Sequence, residues 1–414
     1  MDAVYTKSTS HTAEHIAESI KDIIEKRQSE GVKYAGYITD NTSANKSAWA
    51  ILEKQFPDMF FYGCVCHVLH LIVKRLCSKV EFLGELEKEC KSVVKFFKSS
   101  NLERSRLKEM QTGLKLPNLV LPGETRWGSL LKCFTTLLAS KAVLEDFVND
   151  EGFISRAADR IGREKREAIR DFINGSAFNN IRIAIKLLTP ICNLIVAFQD
   201  DKKPISDVCE SFLSLNDTFS SINGLTSENL GKIKETVHHY WDFIKNPCHL
   251  FSNLLDPRYT GKKLGAERNV VIEQFYDRYP DAGEELDGFF AYCNTNENAR
   301  VFQGVKSGAT RVIVWWEGQC DFPKLREIAL QLFSLTPANS ACERNFSNFS
   351  FVHSKLRNRL GNDKAREAVY VFANAKEFKK SDSGNSNDAV GDYESEGYSS
   401  NNEDFEELSN ACDE

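Results

Sequence analysis

The sequence has no uninterrupted apolar run long enough to cross a bilayer: its longest apolar stretch, Ile181 to Phe198, is broken by Arg182, Lys186 and Pro190. No membrane span is expected. The opening residues MDAVYTKSTS contain no apolar signal segment, and the 12 Cys are scattered along the chain instead of forming a short framework. Reduced thiols in the nucleus or cytoplasm are the expectation. A Gly-rich phosphate loop, HExxH and GxSxG are all missing, and with them the commonest enzyme signatures. Strong positive charge is missing too. The formal charge is −6, and residues 381–414 hold eleven Asp or Glu with no Lys or Arg, which leaves +5 on the rest. A mildly basic body permits contact with phosphates without announcing nucleic-acid binding.

What is present is ordinary globular material: 42% apolar and 27% charged residues, with 28 Phe and 5 Trp to fill a core. A length of 414 residues allows two or three domains. Ile16, Ile20, Ile23 and Ile24 recur at helical spacing between His11 and Glu30, and Gly31 stands where a helix C-cap belongs. Val32 to Thr39 reads as a strand, followed by a helix that stops before Pro57. Met59 to Cys64 reads as a buried strand, and Val68 to Leu76 as another helix.

This alternation implies a mainly parallel sheet covered by helices, in which polar residues at strand carboxyl ends line the functional crevice. Asp40 occupies such a position; its structural alternative is a helix N-cap. From Phe82 to Tyr292 the pattern is helical. Asn294 to Thr310 is polar and reads as a linker, and helices are expected over Phe322 to Phe333, Pro337 to Phe351 and Asp363 to Asn374. After Phe378 the acidic, apolar-poor sequence predicts a disordered tail.

Five motifs occur in order: TDNTSANKSAW (39–49), FYGCVCHVLHLIVKRL (61–76), ETRWGSLLKCF (124–134), LLDPRY (254–259), and TRVIVWW (310–316) leading into residues 322–374. The last contains Pro337, Ser340, Glu343, Arg344, Phe346 and Ser347. Together these resemble hAT transposases. The resemblance implies an RNase H-like nuclease core, split by a large helical insertion, whose Asp, Asp, Glu triad holds divalent Mg or Mn. Two such cations must be held close together by carboxylate oxygens. Asp40 matches the family's second Asp and Glu343 its Glu.

The family's first Asp lies on an opening strand, ahead of the helix that begins here near His11. Only ten residues precede that helix, and Asp2 sits in no strand-like context. The expectation is therefore a remnant site with two carboxylates, and a core without its opening strands or the family's upstream BED-type zinc finger.

Cys64, Cys66, His67 and His70 invite a zinc reading, but four ligands within seven residues do not easily surround a tetrahedral ion. Packing is the favoured role. Arg126, Trp127, Trp315 and Trp316 are candidates for DNA contact by stacking, with core packing the stronger role for the Trp. Lys355, Arg357 and Arg359 form a basic run that could clamp phosphate or simply end a helix. Leu325, Ile328, Leu332 and Phe333 form one apolar stripe, and Val369, Tyr370 and Phe372 a second cluster; these are the expected dimerisation surface.

The resulting reading is α/β plus all-α and mostly helical, with an incomplete RNase H-like sheet. Residues 1–80 form the N-terminal part of the core, 81–305 the insertion, 306–378 the dimerisation region that completes the core, and 379–414 the tail. The function read from this is a transposase-derived, homodimeric, nuclear protein with an open question of DNA association, no small-molecule substrate and no catalysis. An active metal-dependent transposase and a helical scaffold without a nucleic-acid role are the alternatives.

Overall fold

A computed structural model describes residues 12–123, 128–200, 202–296 and 298–340, with Lys364, Ala368 and Val371 beyond them. The chain divides into two compact units, residues 1–64 with 336–414, and residues 65–335.

In the first unit, α1 (Ala13–Ser29) is capped by Thr12, whose hydroxyl accepts from His15 N. Its apolar face, Ala17, Ile20 and Ile24, is buried. Gly31, at φ +85°, ends the helix, with Gly31 N donating to Gln28 O and Val32 N to Arg27 O. That pairing satisfies two terminal carbonyls and demands a left-handed residue, which explains the glycine. Strand β1 (Gly36–Thr39) pairs in parallel with β2 (Phe60–Gly63), Gly36 opposite Phe60 and Thr39 opposite Gly63. Parallel neighbours need a crossover, supplied by α2 (Ser43–Gln55). Leu52, Ala48, Met59 and Phe61 close a core against α1. Tyr62 OH donates to Thr336 O, joining the two chain segments of this unit.

The second unit is helical throughout its described residues. It begins with α3 (Val65–Lys79), α4 (Glu81–Ser99), α5 (Asn101–Gly113), α6 (Gly128–Ala139) and α7 (Lys141–Asn149). These are followed by α8 (Gly152–Ser155), α9 (Arg160–Asn174), α10 (Ala177–Phe198), α11 (Ser206–Ser220), α12 (Ser227–Ile244) and α13 (Pro247–Leu255). It closes with α14 (Glu267–Arg278), α15 (Gly283–Thr295), α16 (Arg300–Lys306), α17 (Val312–Glu317) and α18 (Pro323–Phe333).

Helix α10 is long and apolar enough to cross a membrane by length and composition alone. It packs instead against α3, α4 and α6, with Ile181, Leu187, Leu188 and Ile191 fully buried. Phe96, Phe97, Phe147 and Phe153 make edge-to-face contacts between α4 and the α7–α8 corner.

The mostly helical α/β plus all-α architecture is as expected, with two parallel strands among the described residues. Two expectations need correction. The linker placed over Asn294 to Thr310 contains α16, anchored by the buried Phe302 and Val305. Phe302 packs on Tyr292 and Trp315. Two apolar anchors three residues apart dock this short helix, while Arg300, Gln303 and Lys306 are exposed. The helix expected over Pro337 to Phe351 does not include Pro337 to Asn339, and residues 341–351 lie outside the described residues. Thr336 to Asn339 is irregular, with Thr336 Oγ1 donating to Ala338 O.

Candidate functional site

Asp40 directly follows the carboxyl end of β1 and is half-buried. Its Oδ1 accepts from Thr42 N at 3.4 Å, from Thr42 Oγ1 at 3.3 Å and from Asn45 Nδ2. The N-cap of α2 is Thr42, whose hydroxyl accepts from Asn45 N. Asp40 therefore holds the turn ahead of the helix without being its cap, a third role beside the two read from sequence. Among the described residues, Oδ2 receives no hydrogen bond.

The backbone around this carboxylate is fixed from both strands. Thr39 Oγ1 donates to Asp40 O at 2.7 Å and accepts from Trp49 Nε1 at 3.1 Å. The buried Asn41 donates from Nδ2 to Cys64 O at 2.9 Å. Gly63 is required beside it, because a Cβ there would lie 1.7 Å from Asn41 Oδ1. The arrangement holds one carboxylate at a strand end among neutral amide and hydroxyl groups.

A two-cation site needs carboxylates from several segments. Among the described residues no group of three His, Cys, Asp or Glu could hold a metal ion. Asp40 and its neutral neighbours do not by themselves fit such a pair. Glu343, its expected partner, lies outside the described residues, as do Arg126, Trp127, Lys355, Arg357, Arg359, Val369, Tyr370 and Phe372.

The other sequence candidates lie in the second unit. Trp315 and Trp316 are 3% and 0% exposed. Trp316 Nε1 donates to Leu255 O at 2.9 Å, and its ring packs on Phe289. Leu325, Leu332 and Phe333 are buried, and Ile328 is half-buried. In this region the strongly exposed large apolar side chains among the described residues are Val314 and Val371, which sequence periodicity did not single out.

Cys66 Sγ donates to Ile195 O at 3.5 Å, consistent with packing. Burial, and the charge of His67, hold His70 down to about 4.

LLDPRY was legible as a motif, but not what it builds. Asp256, fully buried after α13, accepts from Ser206 Oγ at 2.6 Å and from Arg258 Nη2 at 2.7 Å. Arg258 Nη2 also reaches Asp207 Oδ1 at 2.6 Å, which Tyr259 OH joins at 2.7 Å. Lys203 Nζ pairs with Asp207 Oδ2 at 2.5 Å. Burial raises the Asp256 carboxyl, opposed by Arg258. Burial also raises the Tyr259 hydroxyl, assisted by Asp207. Thr260 sits at φ +48°, a left-handed conformation that a β-branched residue adopts only where its surroundings impose it. Thr260 N donates to Asp256 O, and Arg268 Nε donates to Thr260 O at 3.0 Å. This is a buried ionic corner whose acids are paired with Arg258 and Lys203.

Comparison with known families matches residues 296–375 to the hAT family C-terminal dimerisation region. The chain thus carries that region, and the resemblance read from its motifs holds over this span.

Proposed function

Taking the dimerisation region as premise, we propose that the chain is a dimerising protein derived from a hAT-type transposase, resident in the nucleus and associating with DNA without cutting it. The match of residues 296–375 carries the reading. The partner is a second copy of the chain. Within that region Val314 and Val371 are 40% and 65% exposed, with apolar surface available for burial between copies. Light scattering of the full chain at micromolar concentration should give a dimer, and Val371→Glu should weaken it. A clean monomer overturns the proposal.

The first unit is proposed as the remnant of an RNase H-like sheet. The placement of Asp40 at the end of a parallel strand supports this. The reading without catalysis is supported, among the described residues, by the neutral Thr42 and Asn45 that Asp40 Oδ1 meets. No Mg- or Mn-dependent nicking of duplex DNA is expected. Nicking abolished by both Asp40→Asn and Glu343→Gln would instead favour an active transposase.

A further inference from the structure

Positive charge gathers in two stretches ahead of the acidic tail: residues 355–380, with eight Lys or Arg and three Asp or Glu, fall almost wholly outside the described residues, and residues 91–115 fall within them. Residues 91–115 contain seven Lys or Arg and two Asp or Glu, a net +5 equal to that of residues 1–380 as a whole. One of the two acids, Glu103, is fully buried and paired with Arg166 and Arg156, so Glu109 is the exposed acid of the segment.

The fold arrays this charge on an open face. Lys91, Lys95 and Lys98 recur at intervals of four and three along the second half of α4, past the Glu81, Glu85, Glu87 and Glu89 of its first half, while Leu86, Cys90, Val93, Val94 and Phe97 bury the opposite side. Ser100 ends α4 and caps α5, accepting from Glu103 N at 3.4 Å, so α5 follows without a loop. Because α5 buries Glu103, Leu107 and Gln111, Arg104 and Lys108 stay exposed. Lys91 meets Glu87 at 2.6 Å, whereas Lys95, Lys98, Arg104 and Lys108 have no ion-pair partner among the described residues.

From Lys91 to Lys98 the stripe runs about 10 Å at the rise of an α-helix. A duplex presents roughly one negative charge per 1.7 Å along its axis, so this length faces several phosphates. Ser92, exposed between Lys91 and Lys95, adds a hydroxyl, a group that also binds phosphate oxygens. A protein partner would call for a buried aromatic or apolar anchor. The exposed apolar residues of α5 and its end, Leu102 and Leu114, are isolated from each other.

We infer that the outer face of α4 and α5 is a phosphate-backbone contact surface for duplex DNA, independent of base sequence. The choice of partner rests on the DNA association proposed above; the location rests on charge and exposure alone. The test measures binding of the full chain to a random-sequence DNA duplex by fluorescence anisotropy as a function of salt. The quadruple variant Lys95→Gln, Lys98→Gln, Arg104→Gln, Lys108→Gln should show a dependence of log K on log salt shallower by about 3 to 4 than the unmodified chain. A control variant with Arg182, Lys186, Lys262 and Lys306 changed to Gln should keep the full slope. If the quadruple variant does not fold, Lys95→Gln with Lys98→Gln carries the test, with an expected change of about 2.

An unchanged slope, or an equal change in the control, overturns the surface while DNA association stands. No binding by the unmodified chain overturns DNA association itself. Tighter binding to anionic phosphatidylserine vesicles than to duplex overturns the choice of partner.

Discussion

The two units handle polar groups in opposite ways. Among its described residues, the first unit buries Asn41 and Ser340 as its polar side chains, both neutral, and leaves Asp40 half-exposed. The second buries Glu103, Arg166, Asp207, His249 and Asp256, and matches its buried acids with Arg or Lys. A largely buried ion network held by paired charges fixes geometry. A half-buried carboxylate with one uncommitted oxygen remains able to meet something else. Of the two corners, the one at Asp40 keeps its carboxylate half-exposed and the one around Asp256 does not.

The largest test of this contrast is Arg258→Met. It leaves Asp207 and Asp256 buried without their guanidinium, and breaking such a network typically costs about 3–5 kcal/mol. Urea unfolding should show that loss. A loss below about 1 kcal/mol would mean that the corner is hydrated and the contrast false.

Acid provides the next test. His70 is held down to about 4 from 6.5, chiefly by burial and then by His67, and His249 down to about 3 by burial. The unfolded chain takes up these protons near pH 6.5 and the folded chain does not. Stability is therefore full above pH 6.5 and falls as pH drops toward 4 and 3. Asp256, raised by burial, works in the opposite sense, losing stability as pH rises. His70→Gln should flatten the acid slope between pH 6.5 and 4, read from unfolding curves at each pH. An unchanged slope would remove His70 from the account.

In the first unit, Gly63→Ala forces a methyl group against Asn41 Oδ1 and should cost about 1–3 kcal/mol. The smallest effect is expected at Asp40. Asp40→Asn keeps an acceptor oxygen for Thr42 and Asn45, so stability should stay within about 0.5 kcal/mol of the parent. A loss above about 2 kcal/mol would show that the negative charge is structural, erasing the difference between the two corners.

The elements that sequence made legible were those specified by local chemistry. Gly31 as a left-handed cap, Thr39 to Asn41 at a strand end and the stop before Pro57 each follow from two or three neighbouring residues. The features that escaped depend on distant partners. Asp207 and Arg258 are 51 residues apart, and nothing near either announces the other. The α16 helix depends on Phe302 meeting Tyr292 and Trp315, while its own composition is polar. The basic face was masked differently: whole-chain charge diluted it, and only the burial of Leu107 and Gln111 shows that Arg104 and Lys108 turn outward. The Asp40 corner was half legible, its position from the motif and its hydrogen-bond partners only from the fold.

The bond from Tyr62 to Thr336 also sets a schedule. It joins residues 274 positions apart, and the unit that contains it is completed by a segment made after residues 65–335. At roughly 5–20 residues per second, a ribosome takes about 14 to 55 seconds to cover that distance. Throughout that interval α1, β1, α2 and β2 exist without the segment that Tyr62 binds. The helical unit is translated in between and can fold while they wait. The first unit to be translated is thus the last to close, and slowing elongation over residues 65–335 should lengthen the time a nascent-chain protease has to cut within residues 12–64.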